Sequence, residues 1–573
     1  MNGEWFFAQE GDDQLFRTWE TDGVIHFLLP GYMKVSKLSF INGDINQKGN
    51  KSVRIQFEKT VHLALLGEDG AVYENDVCIH RGSAVYTMYV KLPEGLEAAA
   101  INKEESIWAS VRTTKADGSE ELRDVPVQIK GRGNSTWQAD KKPYVLFFDD
   151  KVSLTGLNKN DKFILLSSQY DGTKILNKLI HDLNRKVGLN YAIGTEFVDL
   201  YINGDYRGFY TVCEPVDHGV SKLGSRLQKL NESYVSDIHV HDKEKGIKAF
   251  ESDGDPEDIS GVYMIEKDIK FYYSKEPVGF AFGDYAFSVK YPNNLTVNEA
   301  AFLRGRFRTI DELLENKDPE VFKYIDVDSF ARRYLTEEFV FNSDAGVTSW
   351  YFYYRSKDPL LYAGPGWDYD GAFGESNDGF QDYTKNNFEV EDLHGIHETL
   401  KWDERLFDMP EYKEYLIERY RQLRPVFVDF YTGEADRYLN LVEASVNMDT
   451  IRWSESEARG DSGHYREYGS TKKYLKFFMY QRIALLDERI LGHREELAEP
   501  ETEDTVHTLT FRYDDGKTIS MQIRDGEELS LDSLPPFDKD RYAHWRYEYS
   551  GRKVNEFLPV YEDMDLSLEP WEE

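Results

Sequence analysis

Two acidic positions flank a short aromatic run in this chain. Asn342-Ser-Asp344-Ala-Gly-Val-Thr-Ser349 leads into Trp350-Tyr-Phe-Tyr-Tyr354, and Gly364-Pro-Gly-Trp367-Asp368-Tyr-Asp370-Gly-Ala-Phe-Gly374 follows. A helix ending before a loop Asp, then a hairpin, then a second Asp before a glycine turn is how phosphoryl-transfer enzymes of the kinase type order a catalytic base and a metal ligand. On that scheme Asp344 orients or deprotonates an acceptor hydroxyl and Asp368 binds a divalent ion. The second metal ligand of that scheme, the Asn of D-x-x-x-x-N, falls on Ser349, whose hydroxyl is still an oxygen ligand for Mg2+. A plainer reading makes the Asp residues turn caps and has Ser349 hydrogen-bond the loop backbone. Asp370 lies two residues beyond Asp368 and projects from the same face if the segment is extended. Side by side, two carboxylates share a metal more readily than they flank a sugar bond, which glycosidases hold between acids about 5 to 9.5 Å apart.

Upstream, Lys130-Gly-Arg132-Gly133-Asn134-Ser-Thr136-Trp137 runs into Lys141-Lys142-Pro143-Tyr144. Glycines let backbone N–H groups approach an anion, Arg adds a forked donor, and a strand Lys supplies a point charge. Surface hairpins produce such runs too. The order along the chain gives the run its meaning: glycine loop, lysine, helix, hairpin, helix, loop Asp, second Asp.

The elements that would position these residues can be read from periodicity. Residues 1–97 show short β-branched and aromatic runs such as Val24–Leu29 and Tyr86–Val90 between turn signals, which suits a β-sandwich-like module. Residues 98–495 mix strands and helices. Asp171–Val187 has a helical period closed by Gly188, Asn203-Gly204-Asp205 marks a hairpin, and Thr296 with Glu299 has capping-box spacing. The charged stretch Leu223–Pro256 reads as a surface insertion. The acidic run from Glu495 to Asp504 reads as a linker, and residues 505–573 return to strands. The fold class is α+β.

Several motifs in the central region together resemble the CotH kinase family of spore-coat and exported bacterial proteins: GRGNSTW with KKPY, DLYINGDYRGFY at 199–210, GVYMIEKD at 261–268, the Asp344 loop and GPGWDYDGAFG. The resemblance spans about 100 to 495. It implies an atypical protein-kinase-like core and ATP- and Mg2+-dependent phosphorylation of Ser or Thr in a protein substrate; the single neutral oxygen of Ser349 in place of Asn makes Mn2+, which tolerates less regular geometry, the alternative metal. It makes Asp368 the metal-binding Asp and Asp344 the catalytic-loop Asp. Lys142, or else Lys141, falls where the phosphate-contacting lysine would lie. Arg132, Gly133 and Asn134 fall in the nucleotide loop, and Glu214 near the start of an adenine-binding hinge. Metal ligation is assigned to Asp368, Ser349 and Asp370. The family carries a basic pair after the loop Asp and an Asn as metal ligand, whereas this chain has Ala345-Gly346 and Ser349. A non-catalytic or weakly catalytic cell-surface binding protein on the same scaffold is therefore a second reading. The last 65 or so residues, ending Pro559-Val-Tyr-Glu-Asp-Met564 and Trp571, resemble the InlB-type B-repeat of bacterial surface proteins. With the family, that ending implies an extracellular or cell-surface location.

Composition bounds the partners. The 573 residues carry 69 Lys and Arg against 104 Asp and Glu, a net charge of −35, which repels phosphate backbones and anionic lipid and argues against nucleic acid as a partner. No run of eighteen apolar residues exists to insert in a membrane, and MNGEWFFAQEGDD lacks the pattern of a signal peptide. Cys78 and Cys213 lie far apart, with no other soft ligand read beside them, which excludes a paired-cysteine zinc cluster and a disulfide framework. Gly460-Asp-Ser-Gly463 copies a serine-protease signature and overlaps Arg459-Gly-Asp461, but its neighbouring His464 cannot serve a triad from the next residues in sequence. His394-x-x-His397-Glu398 lacks the helix-spaced second His of a zinc protease. Oligomeric state is not legible.

Overall fold

The structure is a computed structural model that describes residues 6–8, 15–34, 37–39, 52–54, 56–66, 72–134, 136–216, 226–254, 256, 258–342, 345–373, 400–458, 468–548, 554 and 559–571. Asp344, Gly374, the His394–Glu398 motif and the Arg459–His464 stretch lie outside the described residues. The chain divides into two compact units. The first comprises Met1–Gln169, Gly194–Glu214 and Arg437–His464, and the second comprises Tyr170–Ile193, Pro215–Asp436 and Tyr465–Glu573.

The first unit is built from β-strands. β1 (Phe6–Ala8), β2 (Leu15–Thr21), β3 (Val24–Leu29), β6 (Thr60–Leu66) and β7 (Val72–Arg81) form one sheet in the order β1-β2-β3-β7-β6, while β4 (Lys37–Ser39) and β5 (Ser52–Arg54) pair with each other. β8 (Tyr86–Lys91), β9 (Ile107–Thr114), β10 (Glu120–Gly131), β11 (Tyr144–Val152), β12 (Asn160–Leu166), β13 (Thr195–Ile202) and β14 (Asp205–Cys213) close into a barrel. β8 comes from the first 97 residues yet lies within the barrel, parallel to β13 with Val198 opposite Tyr86 and antiparallel to β9. Closure leaves no unpaired edge. Inward-facing Met88, Val90, Val111, Val127, Ile129, Leu146, Phe163, Leu165, Val198 and Leu200 fill the barrel. The β13–β14 hairpin turns through Asn203 (φ 51°) and Gly204 (φ 79°), the two left-handed positions that a tight two-residue hairpin turn requires.

The second unit joins an antiparallel sheet to helices. β15 (Val235–Asp242), β16 (Ile247–Ser252), β17 (Tyr263–Asp268), β18 (Gly279–Phe282), β19 (Tyr285–Tyr291), β20 (Trp350–Tyr354) and β21 (Leu361–Ala363) run in the order β15-β16-β18-β19-β17-β20-β21. β22 (Val506–Arg512), β23 (Thr518–Arg524), β24 (Tyr542–Tyr547) and β25 (Met564–Pro570) form a separate four-stranded sheet. The charged stretch taken for an insertion contains β15 and β16. It looks polar because β15 is an edge strand with its residues largely in solvent, Ile238 among them. Helix α1 (Leu176–Lys186) starts five residues later than its apolar period, because Asp171 and Thr173 take up the preceding turn, and Gly188 (φ 79°) follows its end. α2 (Val297–Glu315) opens with the Thr296–Glu299 capping box in place. α3 (Val327–Val340), α4 (Pro410–Asp429) and α5 (Tyr468–Leu486) complete the principal helices used below. Helices and several sheets together make the molecule α+β. Among the described residues no helix is long and apolar enough to cross a membrane.

Candidate functional site

β20 and β21 are antiparallel, with Phe352 opposite Ala363. The start of one and the end of the other therefore lie at the same end of the sheet, and this brings Ser349 beside Asp368 across nineteen residues of chain. The Ser349 hydroxyl donates to Asp368 Oδ2 at 3.4 Å, so it faces the carboxylate. Both residues sit in the left-handed region, Ser349 at φ 55° and Asp368 at φ 66°, a conformation that short polar side chains tolerate better than others. The Asn342 amide reaches the Asp368 carbonyl at 3.3 Å. β17 pairs with β20 on its other side, Glu266 opposite Tyr351, and delivers two further acids to this end. Glu266 accepts from the Ser349 N–H at 3.1 Å and pairs with Lys290 at 2.8 Å. Asp268 accepts from Ser288 Oγ at 2.8 Å and Thr348 Oγ1 at 3.3 Å.

α1 approaches from the other direction. Asp171 is buried at its head, where its carboxylate accepts from Thr173 N–H and Oγ1 and from Leu176 N–H at 2.6–2.9 Å. One turn on, Asn177 donates to Asp370 and accepts from the Tyr369 N–H. Asn184 donates to the Tyr369 hydroxyl at 2.9 Å, and that hydroxyl donates to Glu337 of α3 at 3.1 Å. His181 lies between, fully buried, its ring 5.9 Å from Trp367 and 5.3 Å from Tyr369, and both of its nitrogens lack a hydrogen-bond partner. Burial pushes it down to about 3, so it stays neutral. Trp367 is thus committed to packing on α1.

Negative charge accumulates where these elements meet. Asp370 is pushed up to about 7, first by its surroundings of protein rather than water, then by the neighbouring carboxylates of Asp368 and Asp171, with Asn177 and Lys174 opposing. Asp171 is raised by burial against its own hydrogen bonds. Glu266 is raised by burial and by Asp268, against Lys290. Adjacent carboxylates that raise one another form a site better satisfied by a cation than by protons. Two carboxylates and a hydroxyl from Asp368, Asp370 and Ser349 make an all-oxygen donor set, the kind that a hard ion such as Mg2+ takes. The residues present fit that ion.

The family model described as CotH kinase protein matches residues 129–486, more than half of the chain. The chain belongs to the CotH kinase family. No curated protein matches it. All of the acids just described fall inside the CotH-matched span.

The remaining CotH-derived assignments lie in the first unit. Lys141 is fully buried, its Nζ 2.6 Å from Asp449 Oδ1 and 2.7 Å from the Phe209 carbonyl. Asp449, on the helix Ala435–Ala458, also accepts from the Phe209 N–H at 2.8 Å. Gly208 of the DLYINGDYRGFY motif makes room for this pair. At φ 118°, a Cβ there would lie 2.3 Å from Asp449 Oδ1 and 2.8 Å from Lys141 Cε. Lys142 turns the other way, donating to the Trp137 carbonyl at 2.8 Å with its ammonium 5.3 Å from that indole ring. The glycine loop has a packing reason as well: the Trp137 ring lies where a Cβ on Gly131 would be, 2.3 Å away. Gly133 (φ 89°) gives its carbonyl to Lys103 at 2.6 Å, Arg132 is half-buried, and Asn134 is exposed. Glu214 is buried and accepts from the Asn158 amide at 2.7 Å and the Gly194 N–H at 3.3 Å.

The structure brings together Asp368, Asp370 and Ser349. Sequence reasoning missed Asp171, Asn177, Glu266, Asp268 and the Lys141–Asp449 pair. Glu266 and Asp268 carried a signal, since two acids at alternate positions of a strand share a face, with Lys267 between them on the other. Asp171 and Asn177 carried none, because their relation to Asp370 depends on contacts some 190 residues away in sequence.

Proposed function

We propose that this CotH kinase family protein transfers the γ-phosphoryl group of ATP to a Ser or Thr hydroxyl of a protein. The observation that carries the reading is the convergence of Asp368, Asp370 and Ser349 at one end of the β20–β21 hairpin, where Asp370 is held up to about 7 by burial first and then by the carboxylates of Asp368 and Asp171. Asp368 and Asp370, with the Ser349 hydroxyl, would hold a divalent ion, Mg2+ or Mn2+. Bound there, the ion would neutralise charge on the triphosphate oxygens. Asn177 fixes one oxygen of Asp370, and the Asn342 amide holds the Asp368 backbone, which limits how far the two carboxylates would have to move to bind. In the transfer the acceptor oxygen forms a bond to phosphorus while the bond to the ADP oxygen breaks. The acceptor's proton passes to a carboxylate, which the family resemblance assigns to Asp344. Arg132, Gly133, Asn134, Lys142 and Glu214 keep the nucleotide assignments of that resemblance. Lys141, the alternative lysine of that resemblance, is held in the core of the first unit by Asp449.

We take the protein to act outside the cell or on its surface, a reading supported by the exported character of the family it resembles and by the B-repeat-like ending. The test is incubation with γ-labelled ATP, Mg2+ or Mn2+, and either a casein-like acceptor or the protein itself. Label transfer by the wild type and none by Asp368→Ala is expected. Equal transfer by both would overturn the reading. ATP binding without any transfer would favour a surface binding protein on the kinase scaffold.

A further inference from the structure

The first unit holds a second cluster of ligand-type side chains, far simpler in origin. β3 and β7 are parallel neighbours with His26 opposite Cys78, and His80 lies two residues beyond Cys78 on β7. Residues opposite one another, and residues two apart on a strand, share a face. The alternating residues Ile25, Phe27, Val77 and Ile79 take the other face and fill the core. His26, Cys78 and His80 are thereby gathered on one side of the sheet. A nitrogen of each histidine and the Cys78 sulfur all lie within 4.8 Å of one another. His26 Nδ1 is 2.8 Å from His80 Nε2, with the rings stacked at 5.1 Å between centroids. This corrects the expectation that no soft ligand lies near either cysteine: a sequence scan for paired cysteines overlooks one Cys flanked by a His two residues on and a His across the sheet.

The outer partner of His80 selects among the possible uses of this cluster. His80 Nδ1 is 2.5 Å from Glu58 Oε2. Glu58 is itself positioned by the backbone: its N–H donates to the Ile79 carbonyl at 2.9 Å, and its other carboxylate oxygen accepts from the Arg81 N–H at 3.3 Å. A carboxylate accepts, so His80 Nδ1 carries the proton and its Nε2 lone pair points at His26 Nδ1 and the Cys78 thiol. A histidine oriented through its far nitrogen by a carboxylate, with the near nitrogen presented to a second histidine and a sulfur, is the arrangement of a metal ligand with its supporting shell.

We propose that His26, Cys78 and His80 bind a borderline-soft divalent transition ion, Zn2+ first among them, with Glu58 as the positioning carboxylate. Imidazole nitrogen and thiolate sulfur suit Zn2+ and its neighbours, whereas the oxygen-only set around Asp368 suits Mg2+. Three protein ligands leave the fourth tetrahedral position to water or another small ligand. His26 is only half-buried, which gives an ion a route in. Binding takes the proton from the Cys78 thiol and releases it to solvent.

The whole chain is titrated with Co2+, which reports its ligands by absorption, and then with Zn2+ against a chromophoric chelator. One equivalent of Co2+ should produce a sulfur-to-cobalt charge-transfer band together with the intense visible bands of a four-coordinate site, and Zn2+ should displace it. Cys78→Ser should abolish the charge-transfer band. Glu58→Gln should keep the band and weaken Zn2+ by about 10- to 100-fold. If Cys78→Ser does not fold, zinc-edge X-ray absorption of the wild type decides in its place, with one sulfur and two imidazoles expected around the ion. A wild type that shows no sulfur–metal band at saturating Co2+, a band that survives in folded Cys78→Ser, or a zinc shell without sulfur would each overturn the proposal. The histidines and Glu58 would then form only a hydrogen-bonded chain ending at Thr21, which lies 3.3 Å from His26 Nε2.

Discussion

Lys141 with Asp449 and Asp370 with Asp368 and Asp171 are two ways of keeping charge away from water, and they differ in balance. In the first pair charge meets its opposite: the Lys141 ammonium lies 2.6 Å from Asp449, and backbone groups of Phe209 fill in around both. In the second unit carboxylates are set beside carboxylates, with Asn177, Ser349 and backbone N–H groups among their partners and the Lys174 ammonium opposing part of the excess. A balanced buried pair is scaffold, and removing one member leaves the other stranded. An unbalanced cluster is costly to maintain without a counter-ion, and such clusters are where function is found.

The sharpest way to break this contrast is to show that the unbalanced cluster is idle. Asp368→Ala should lower phosphoryl transfer by on the order of 10³-fold or more, measured with labelled ATP, while its urea midpoint stays near that of the wild type. A second test aims at the balanced pair. Lys141→Met should cost about 3–5 kcal/mol of stability by leaving Asp449 buried and unpaired. In denaturant melts, Lys141→Met with Asp449→Leu should recover much of that loss. If the single variant melts like wild type, the pair is not scaffold.

Asp370→Asn should move stability the other way. A carboxyl raised from 3.8 to about 7 in the folded protein stabilises the fold while protonated, and that contribution disappears as pH rises through the interval between the two values. Metal-free wild type should therefore lose stability from about pH 4 to about pH 7, by about 1–3 kcal/mol once partial solvent exposure is allowed for. Asp370→Asn should reduce that slope, to which Asp199 and Glu337, also raised to about 7, contribute in the same sense, and be more stable at neutral pH. Mg2+ should raise the melting temperature of wild type more at pH 8 than at pH 5, because the ion and the proton compete, and should leave Asp370→Asn unmoved. The smallest effect is at Ser349, whose hydrogen bond to Asp368 is long at 3.4 Å. Ser349→Asn should tighten Mg2+ and Ser349→Ala weaken it, each by up to about tenfold, by calorimetric titration. Unchanged affinity in both would remove Ser349 from the ion's shell.

What could be read in the sequence was local. The Asn203-Gly204 turn and the Thr296–Glu299 cap depend on a handful of adjacent residues and stand where expected. Asp368 and Ser349 could be linked because a short hairpin joins them. Asp171 and Asn177 could not, since nothing near them in sequence announces Asp370. The parallel β8–β13 pairing that closes the barrel was equally hidden, because β8 is a short β-branched and aromatic run like those before it. Position alone ranks Lys142 above Lys141 as the phosphate lysine, and nothing in the sequence shows the buried Asp449 partner of Lys141, which depends on packing around Gly208.

The discontinuity of the first unit also sets a schedule. Its strands are complete by residue 214, but the helix that carries Ser445 and Asp449 arrives only after residue 437. At about 5–20 residues per second of synthesis, the roughly 220 intervening residues occupy the ribosome for on the order of 10–40 s. Throughout that wait a nascent barrel must keep Lys141 and Asp199 partly hydrated, because Asp449 and Ser445, which complete their partners, do not yet exist. The middle of the chain is therefore made while the first unit is unfinished, and a helix made more than 200 residues later is the one that lets the first strands set.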